Sequence, residues 1–357
     1  MKKVHAIFFS MLAVLLFGGA GCFGQQGPQY TGPGGMYMSE DKGENWKAIN
    51  NFPTAEGTKN LQAVSVYGLH QDPLDTEALY WQSREHGLFY SYDAGATWQR
   101  PASVFQSGRI YSVAVHPKDK CTIYATDGQK ILRTSDCSRH WEELYTHIIE
   151  GDIIRVLDIN PFNSDELTFI TDEHMYRSAD RGVSWERIKR YSQGGLADVQ
   201  YDTHTQNVIY LARKTRGLYR SIDNGVNFEQ LEKPMKGFED AKTFRRLYIH
   251  PTKANTIFWV SKYGIMRSDD RGDSWTAYNL VTPPGVAQIY AFAINPKNDQ
   301  EIYYTGTVNN KSSLYKSVDG GQKWITKKLP SGQVPTHLHI HPEKSNILYL
   351  GFTIVKE

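Results

Sequence analysis

The sequence predicts an all-β fold, a seven-bladed β-propeller of four-stranded blades whose ring is closed by pairing of the N- and C-terminal strands. Two periodic signals and their offset predict it. One eight-residue pattern, Ser-x-Asp-x-Gly-x-x-Trp, recurs seven times along the 357 residues. A second pattern, a short apolar strand ending in a polar residue and usually proline, also recurs seven times. The two series are out of phase at the chain ends, as a ring with one blade shared between its termini requires.

The eight-residue box reads SEDKGENW from Ser39, SYDAGATW from Ser91, TSDCSRHW from Thr134, SADRGVSW from Ser178, SIDNGVNF from Ser221, SDDRGDSW from Ser268 and SVDGGQKW from Ser317. Successive copies lie 52, 43, 44, 43, 47 and 49 residues apart, room for four short strands with their turns. Each residue type has a physical task. The aspartates Asp41, Asp93, Asp136, Asp180, Asp223, Asp270 and Asp319 can accept hydrogen bonds from turn amides, and the preceding serine or threonine can bond the same backbone. Gly43 and its counterparts permit a positive φ. The closing aromatic opens the next strand as a large apolar plug between sheets. Six of the eight tryptophans occupy that slot, and Phe228 fills the seventh. Sevenfold repetition marks these aspartates as structural, because a catalytic group is needed once.

The second signal comprises Asp72-Pro73, His116-Pro117, Asn160-Pro161, Asp202-Thr203, His250-Pro251, Asn295-Pro296 and His341-Pro342. Asn or Asp before proline marks a turn, and histidine can play a similar part. Runs rich in β-branched and aromatic residues follow, such as IYAT, IYLA and IFWV, and then runs such as MYRS that enter the box. Each unit therefore reads as strand A, turn, strand B, turn, strand C, box, strand D. The first box lacks an inner strand before it, and the last inner strand, in THLHIHPEKSNILYLGFT, lacks a box after it. Strands within residues 336–353 are expected to pair with strands within 36–50.

The boxes resemble the Asp-box, or BNR, repeat, which joins the third and fourth strands of propeller blades. The chain also resembles the WD40/YVTN/BNR-like propellers as a class, the photosystem II assembly-factor type in size and layout, and the sortilin-like propellers. It lacks the Gly-Trp-Ala-Val-Gly wording common in the assembly factors.

Residues 1–21 read as a signal peptide: Lys2 and Lys3 precede an apolar run from Ile7 to Phe17, too short to span a bilayer comfortably. Gly18-Gly19-Ala20-Gly21-Cys22 resembles a bacterial lipobox, which implies lipidation of Cys22 and anchorage of an exported chain to the cell envelope, with simple secretion as the alternative. Residues 22–35, rich in Gly, Gln and Pro, are expected to form a flexible tether, and 36–353 the propeller. Without the leader the chain holds 38 basic and 38 acidic residues, a balance that points away from nucleic-acid partners. No motif calls for a cofactor. Cys121 and Cys137 flank a hairpin centred near Gln129, which places them opposite each other for a disulfide, with two free thiols as the alternative.

Candidate binding residues come from the non-repeated positions. In propellers of this resemblance, the face opposite the boxes carries the ligand. Six residues before the proline slot stand Tyr111, Arg155, Ala197, Arg245, Tyr290 and Thr336; the next position includes Asp198, Arg246 and His337. Arg109, Tyr111, Arg155, Arg245, Arg246 and Tyr290 thus form a candidate binding rim, suited to recognising a protein partner near the membrane. Equally, these arginines can pair with acids such as Asp152, Asp158, Asp198 and Glu239. His337, His339 and His341 alternate on one strand, but His341 occupies a turn slot, so no metal site is expected.

No catalytic set is expected either. The alternative is a carbohydrate-active enzyme or glycan-binding module with Asp158 and Asp198, on adjacent inner strands, as a carboxylate pair. Gly217 to Ser221 (GLYRS) resembles xyloglucan hydrolases, which use two tandem propellers, whereas Asp-box sialidases carry an Arg-Ile-Pro motif that this chain lacks.

Overall fold

The computed structural model describes residues 30–231 and 233–355. The signal peptide, Cys22 and the tether up to Gln29 lie outside the described residues. What is described is a propeller of seven blades with no α-helix among the described residues.

Blades are numbered here by their boxes. Blade one is built from both ends of the chain, with Lys47–Ala48, Gly35–Ser39, Leu348–Thr353 and Val334–Ile340 paired in that order across the sheet. The expected clasp is therefore present, in antiparallel register from Gly35 opposite Phe352 to Ser39 opposite Leu348. Inner strands touch their neighbours all the way round: Val334–Ile340 meets both Val66–Asp72 of blade two and Gln288–Asn295 of blade seven. Each inner strand is the edge of its own sheet and is covered by the inner strands of the two adjacent blades.

Blades three to seven each have four antiparallel strands, as in Val156–Ile159, Leu167–Ile170, His174–Ser178 and Glu186–Arg190 of blade four. Blade two keeps the expected layout with its outer strand reduced. Its sheet has three strands, and Gln99 holds the fourth position through a single bridge to Tyr90. The outer edge is covered by other means. Leu88 N–H donates to Phe105 O at 3.0 Å, and Gly87 N–H to Gly108 O at 2.9 Å. An extra hairpin, Asn51–Thr54 with Gly57–Asn60, sets Phe52 against Phe89 at 5.8 Å and accounts for the longest box spacing. Pro101 cannot donate to a ladder, which explains why strand D stops there.

The boxes fold as their residue types demand. In the first, Ser39 Oγ donates to Asp41 Oδ1 at 2.8 Å and accepts from Gly43 N–H at 2.8 Å, while Asp41 Oδ1 accepts from Asn45 N–H at 2.8 Å. The same triad of bonds recurs in the other six boxes. These bonds hold the Asp41, Asp136, Asp180 and Asp223 carboxyls down at about 2. Two consecutive residues of each box have positive φ, such as Lys42 at 62° and Gly43 at 84°. In the third box the second of them is Ser138, at 64°, so a Cβ is carried where the others have glycine. Cys137 in that box is disulfide-bonded to Cys121.

Packing follows from the same repeat. The core divides into seven clusters, each between two adjacent blades and each holding one box aromatic, from Trp98 between blades one and two to Trp46 between blades seven and one. Trp98 is fully buried, and its indole N–H donates to Ile49 O at 2.7 Å, so the plug is both apolar and hydrogen-bonded.

The turn between strands A and B explains the second signal. Asp72, Asn160, Asp202 and Asn295 accept turn amides through Oδ1. His116, His250 and His341 do so through Nδ1. Histidine at this slot is a turn former, which removes His341 from any ligand set.

Candidate functional site

Antiparallel alternation puts the boxes and the A–B turns on one face, and the strand-A starts, B–C turns and D–A crossings on the other. On that second face, the rim, a cavity of 530 Å³ opens at the mouth of the central channel. Tyr67, Arg84, Arg109, Arg245, Arg246 and Tyr290 dominate its wall. They come from the A strands of blades two, six and seven, the B–C turn of blade two and the crossing from blade two to three. Backbone geometry brings them together: strands that converge at the channel project their first residues around one mouth.

The arginines are held by aromatic faces rather than by acids. The Arg109 guanidinium lies 4.4 Å from the Tyr67 ring and 4.6 Å from Tyr111, and that of Arg245 lies 4.9 Å from Tyr290. Nε of Arg109 and of Arg245 is buried without a hydrogen-bond partner among the described residues. No carboxylate of a described residue forms an ion pair with Arg84, Arg109, Arg245 or Arg246. Stacking holds the Arg109 and Arg245 forks in place and leaves the Nε–H of each unspent. Such a wall suits a carboxylate or phosphate presented on a chain.

Four of the six rim residues expected from sequence, Arg109, Arg245, Arg246 and Tyr290, line this cavity. Tyr111 supports Arg109 from beneath and lines a neighbouring cavity of 440 Å³ with the 147–153 crossing. Arg155 is neutralised. Its Nε donates to Asp172 Oδ1 at 2.7 Å, its second nitrogen bonds the other carboxylate oxygen, and that pairing raises its pKa above the usual arginine value. Lys214 shares the same carboxylate. Asp172, rather than any of the four acids considered from sequence, is therefore the partner. Tyr67 was missed, although it stands six residues before Pro73, in the slot that yields Tyr111 and Tyr290.

Deeper in the channel, histidines and carboxylates occupy opposite arcs. His70, His337 and His339 lie on blades two and one. His70 Nε2 contacts the Gln82 amide at 2.8 Å, and His339 Nε2 that of Gln71 at 2.7 Å. Burial pulls the imidazole pKa of His339 down to about 4, and that of His337 well below its usual value. Among the described residues, no three His, Cys, Asp or Glu side chains are grouped to hold a metal ion. Asp158 and Asp198 lie on blades four and five, where Asp158 Oδ2 accepts from Tyr201 N–H at 2.8 Å and Asp198 Oδ2 from the Gln200 amide at 2.9 Å. Burial raises Asp158 to about 7 and Asp198 to about 6.

Against known families, the profile of Sortilin-Vps10 (Sortilin, neurotensin receptor 3) matches residues 34–150 and 173–264. The chain belongs to the Sortilin-Vps10 family. Its ring is similar to part of the vacuolar protein sorting/targeting protein 10 of Emericella nidulans, at 23% identity over 300 residues and 76% of this chain. This Sortilin-Vps10 chain spans a fifth of that relative's length, 20%. Solved structures of the same fold include the GH74 xyloglucanase from Xanthomonas campestris, with a TM-score of 0.64, 17% identity, and coverage of 81% of this chain and 51% of that one. YCF48 bound to D1 peptide has a TM-score of 0.60, 15% identity, and coverage of 82% and 94%.

Proposed function

We propose that this Sortilin-Vps10 chain is an exported, non-enzymatic binding or scaffold protein, anchored through lipidated Cys22, that holds an acidic segment of a protein partner in its rim cavity. The observation that carries the reading is the set of arginines stacked on tyrosines, with two buried Nε–H donors unspent. Membership of a family that includes a sorting receptor supports a protein ligand, and a YCF48 propeller bound to a peptide supports the use of this fold for it. Capture of partners from detergent-solubilised membranes tests it. Arg109→Ala with Arg245→Ala should abolish capture while leaving the melting temperature nearly unchanged, and undiminished capture would overturn the reading.

Asp158 and Asp198, carboxyls on adjacent inner strands both raised by burial, favour a second reading, glycoside hydrolysis or glycan binding. Turnover of xyloglucan or a sialoside that disappears in Asp158→Asn would replace the first reading.

A further inference from the structure

We infer that the rim face is a membrane-apposed surface that seats on anionic phospholipid headgroups. Three independent features meet on it. The first is where the chain enters the ring. Tyr30 Oη donates to Asn310 Oδ1 at 3.1 Å, in the B–C turn of blade seven. Gly332 N–H donates to Thr31 O at 3.0 Å, in the crossing from blade seven to blade one, and Gly34 N–H to Gln62 O at 2.8 Å. The polypeptide is thus pinned across the rim before it joins blade one. From Tyr30 back to Cys22 the backbone reaches at most about 28 Å, so any anchor at Cys22 holds this face, not the opposite one, against the bilayer.

The second feature is charge. Seven box aspartates lie on the far face, and local hydrogen bonds hold every one of them below the ordinary carboxylate range. The rim face carries Arg84, Arg109 and Arg245 without an ion pair to a described carboxylate, Arg246, whose charge acts on buried Asp198, and Arg216, whose guanidinium is bonded to the Gln193 amide. A chain of balanced charge is thereby polarised along its ring axis. An anionic surface attracts the arginine end and repels the aspartate end over about a Debye length.

The third feature is a pair of apolar tips. In the crossing from blade three to four, Ile148 is 87% and Ile149 44% exposed. In the crossing from blade six to seven, Val281 and Val286 are each 51% exposed. Both crossings project from the rim face. On the far face, exposed Val183 and Val226 stand inside the boxes, and exposed Leu74 and Phe162 stand in A–B turns. Apolar tips on this face can enter the headgroup layer while guanidinium groups elsewhere on the same face bond phosphate.

The inference extends the proposed function: a partner segment in the cavity would be one that stands close to the bilayer. Its test is independent of that partner and of acylation. The chain from residue 22 with Cys22→Ser, which keeps the whole closed ring, is mixed with vesicles of phosphatidylcholine alone or of equal parts phosphatidylcholine and phosphatidylglycerol, and sedimented. Binding is expected to the anionic vesicles only and to vanish in high salt. Ile148→Glu with Ile149→Glu should weaken it roughly tenfold, as should Arg216→Glu, whereas Val183→Glu on the box face should not. Equal binding to neutral vesicles, no binding to either, or loss in Val183→Glu matching that of the rim variants would overturn the inference. Partner capture in detergent is read separately, so failure of either reading leaves the other measurable.

Discussion

On the box face each aspartate is satisfied within its own eight residues, by a hydroxyl and one to three amides, and the same three bonds appear seven times. On the rim face nothing repeats. Tyrosine stands at the strand-A start in blades two, three and seven, arginine in blades four and six, threonine in blade one and alanine in blade five. The box groups spend their hydrogen-bonding capacity locally and define a turn. Arg109 and Arg245 at the rim each keep a donor, supported by ring faces that offer no acceptor. Repeated polar residues in a ring of repeats build the ring; unrepeated polar residues around its mouth are available to a ligand.

The severest way to break that contrast is to open the ring. Deleting residues 334–355 removes two strands of blade one and leaves Gly35–Ser39 paired only with Lys47–Ala48. Both faces depend on closure, so cooperative thermal unfolding should be lost altogether; an unchanged melting curve would show that the clasp contributes nothing. Next in size is the third box. Reducing the Cys121–Cys137 bond releases a loop with a sequence separation of 16, whose closure contributes about 3 kcal/mol in the chain-entropy description. Ser138 at positive φ leaves this blade weaker than its neighbours. Hydrogen exchange after reduction should quicken first in residues 112–146, and uniform protection of all blades would refute a local role.

A smaller effect separates the faces directly. Asp180→Ala removes the acceptor for two backbone amides and two hydroxyls and should cost about 1–2 kcal/mol. Arg109→Ala should cost less, because its Nε bonds nothing in the free protein. Urea titration of the pair measures the difference, and a reversal of that order would mean that the rim is structural after all.

A further contrast between the interior and the box face depends on pH. The Asp158 carboxyl, raised to about 7 by burial, favours the folded state only while protonated, and its contribution is lost as pH rises from about 4 through 7. Asp158→Asn should therefore raise the melting temperature at pH 8 and not at pH 4. The box aspartates have the opposite sign: their bonds stabilise the fold above about pH 4, and that contribution is lost as pH falls toward 2.

Much of the fold was legible because a repeat states one local solution seven times. Ser39, Asp41, Gly43 and Trp46 specify hydrogen bonds, a positive φ and a plug whose partners lie within the box or on the adjacent sheet. The shortness of blade two's outer strand was not legible, because that edge is covered by segments that carry no periodic signal, the 51–60 hairpin and the stretch after Pro101. At the rim, alignment on the proline slot found Arg245 and Tyr290 but not that Arg155 is neutralised, since Asp172 lies in a B–C turn outside that slot.

By itself the sequence determined the number of blades, the turn chemistry, the pairing of the two chain ends and which aspartates are structural, because each follows from spacing and from contacts within a repeat. The tertiary structure alone decided which arginines keep free donors. That depends on whether an acid or an aromatic ring from another blade reaches each guanidinium: Arg155 meets Asp172, whereas Arg109 meets Tyr67 and Arg245 meets Tyr290. Those meetings are set by the convergence of strands around the channel, between residues as far apart as Tyr67 and Tyr290, for which no local pattern exists.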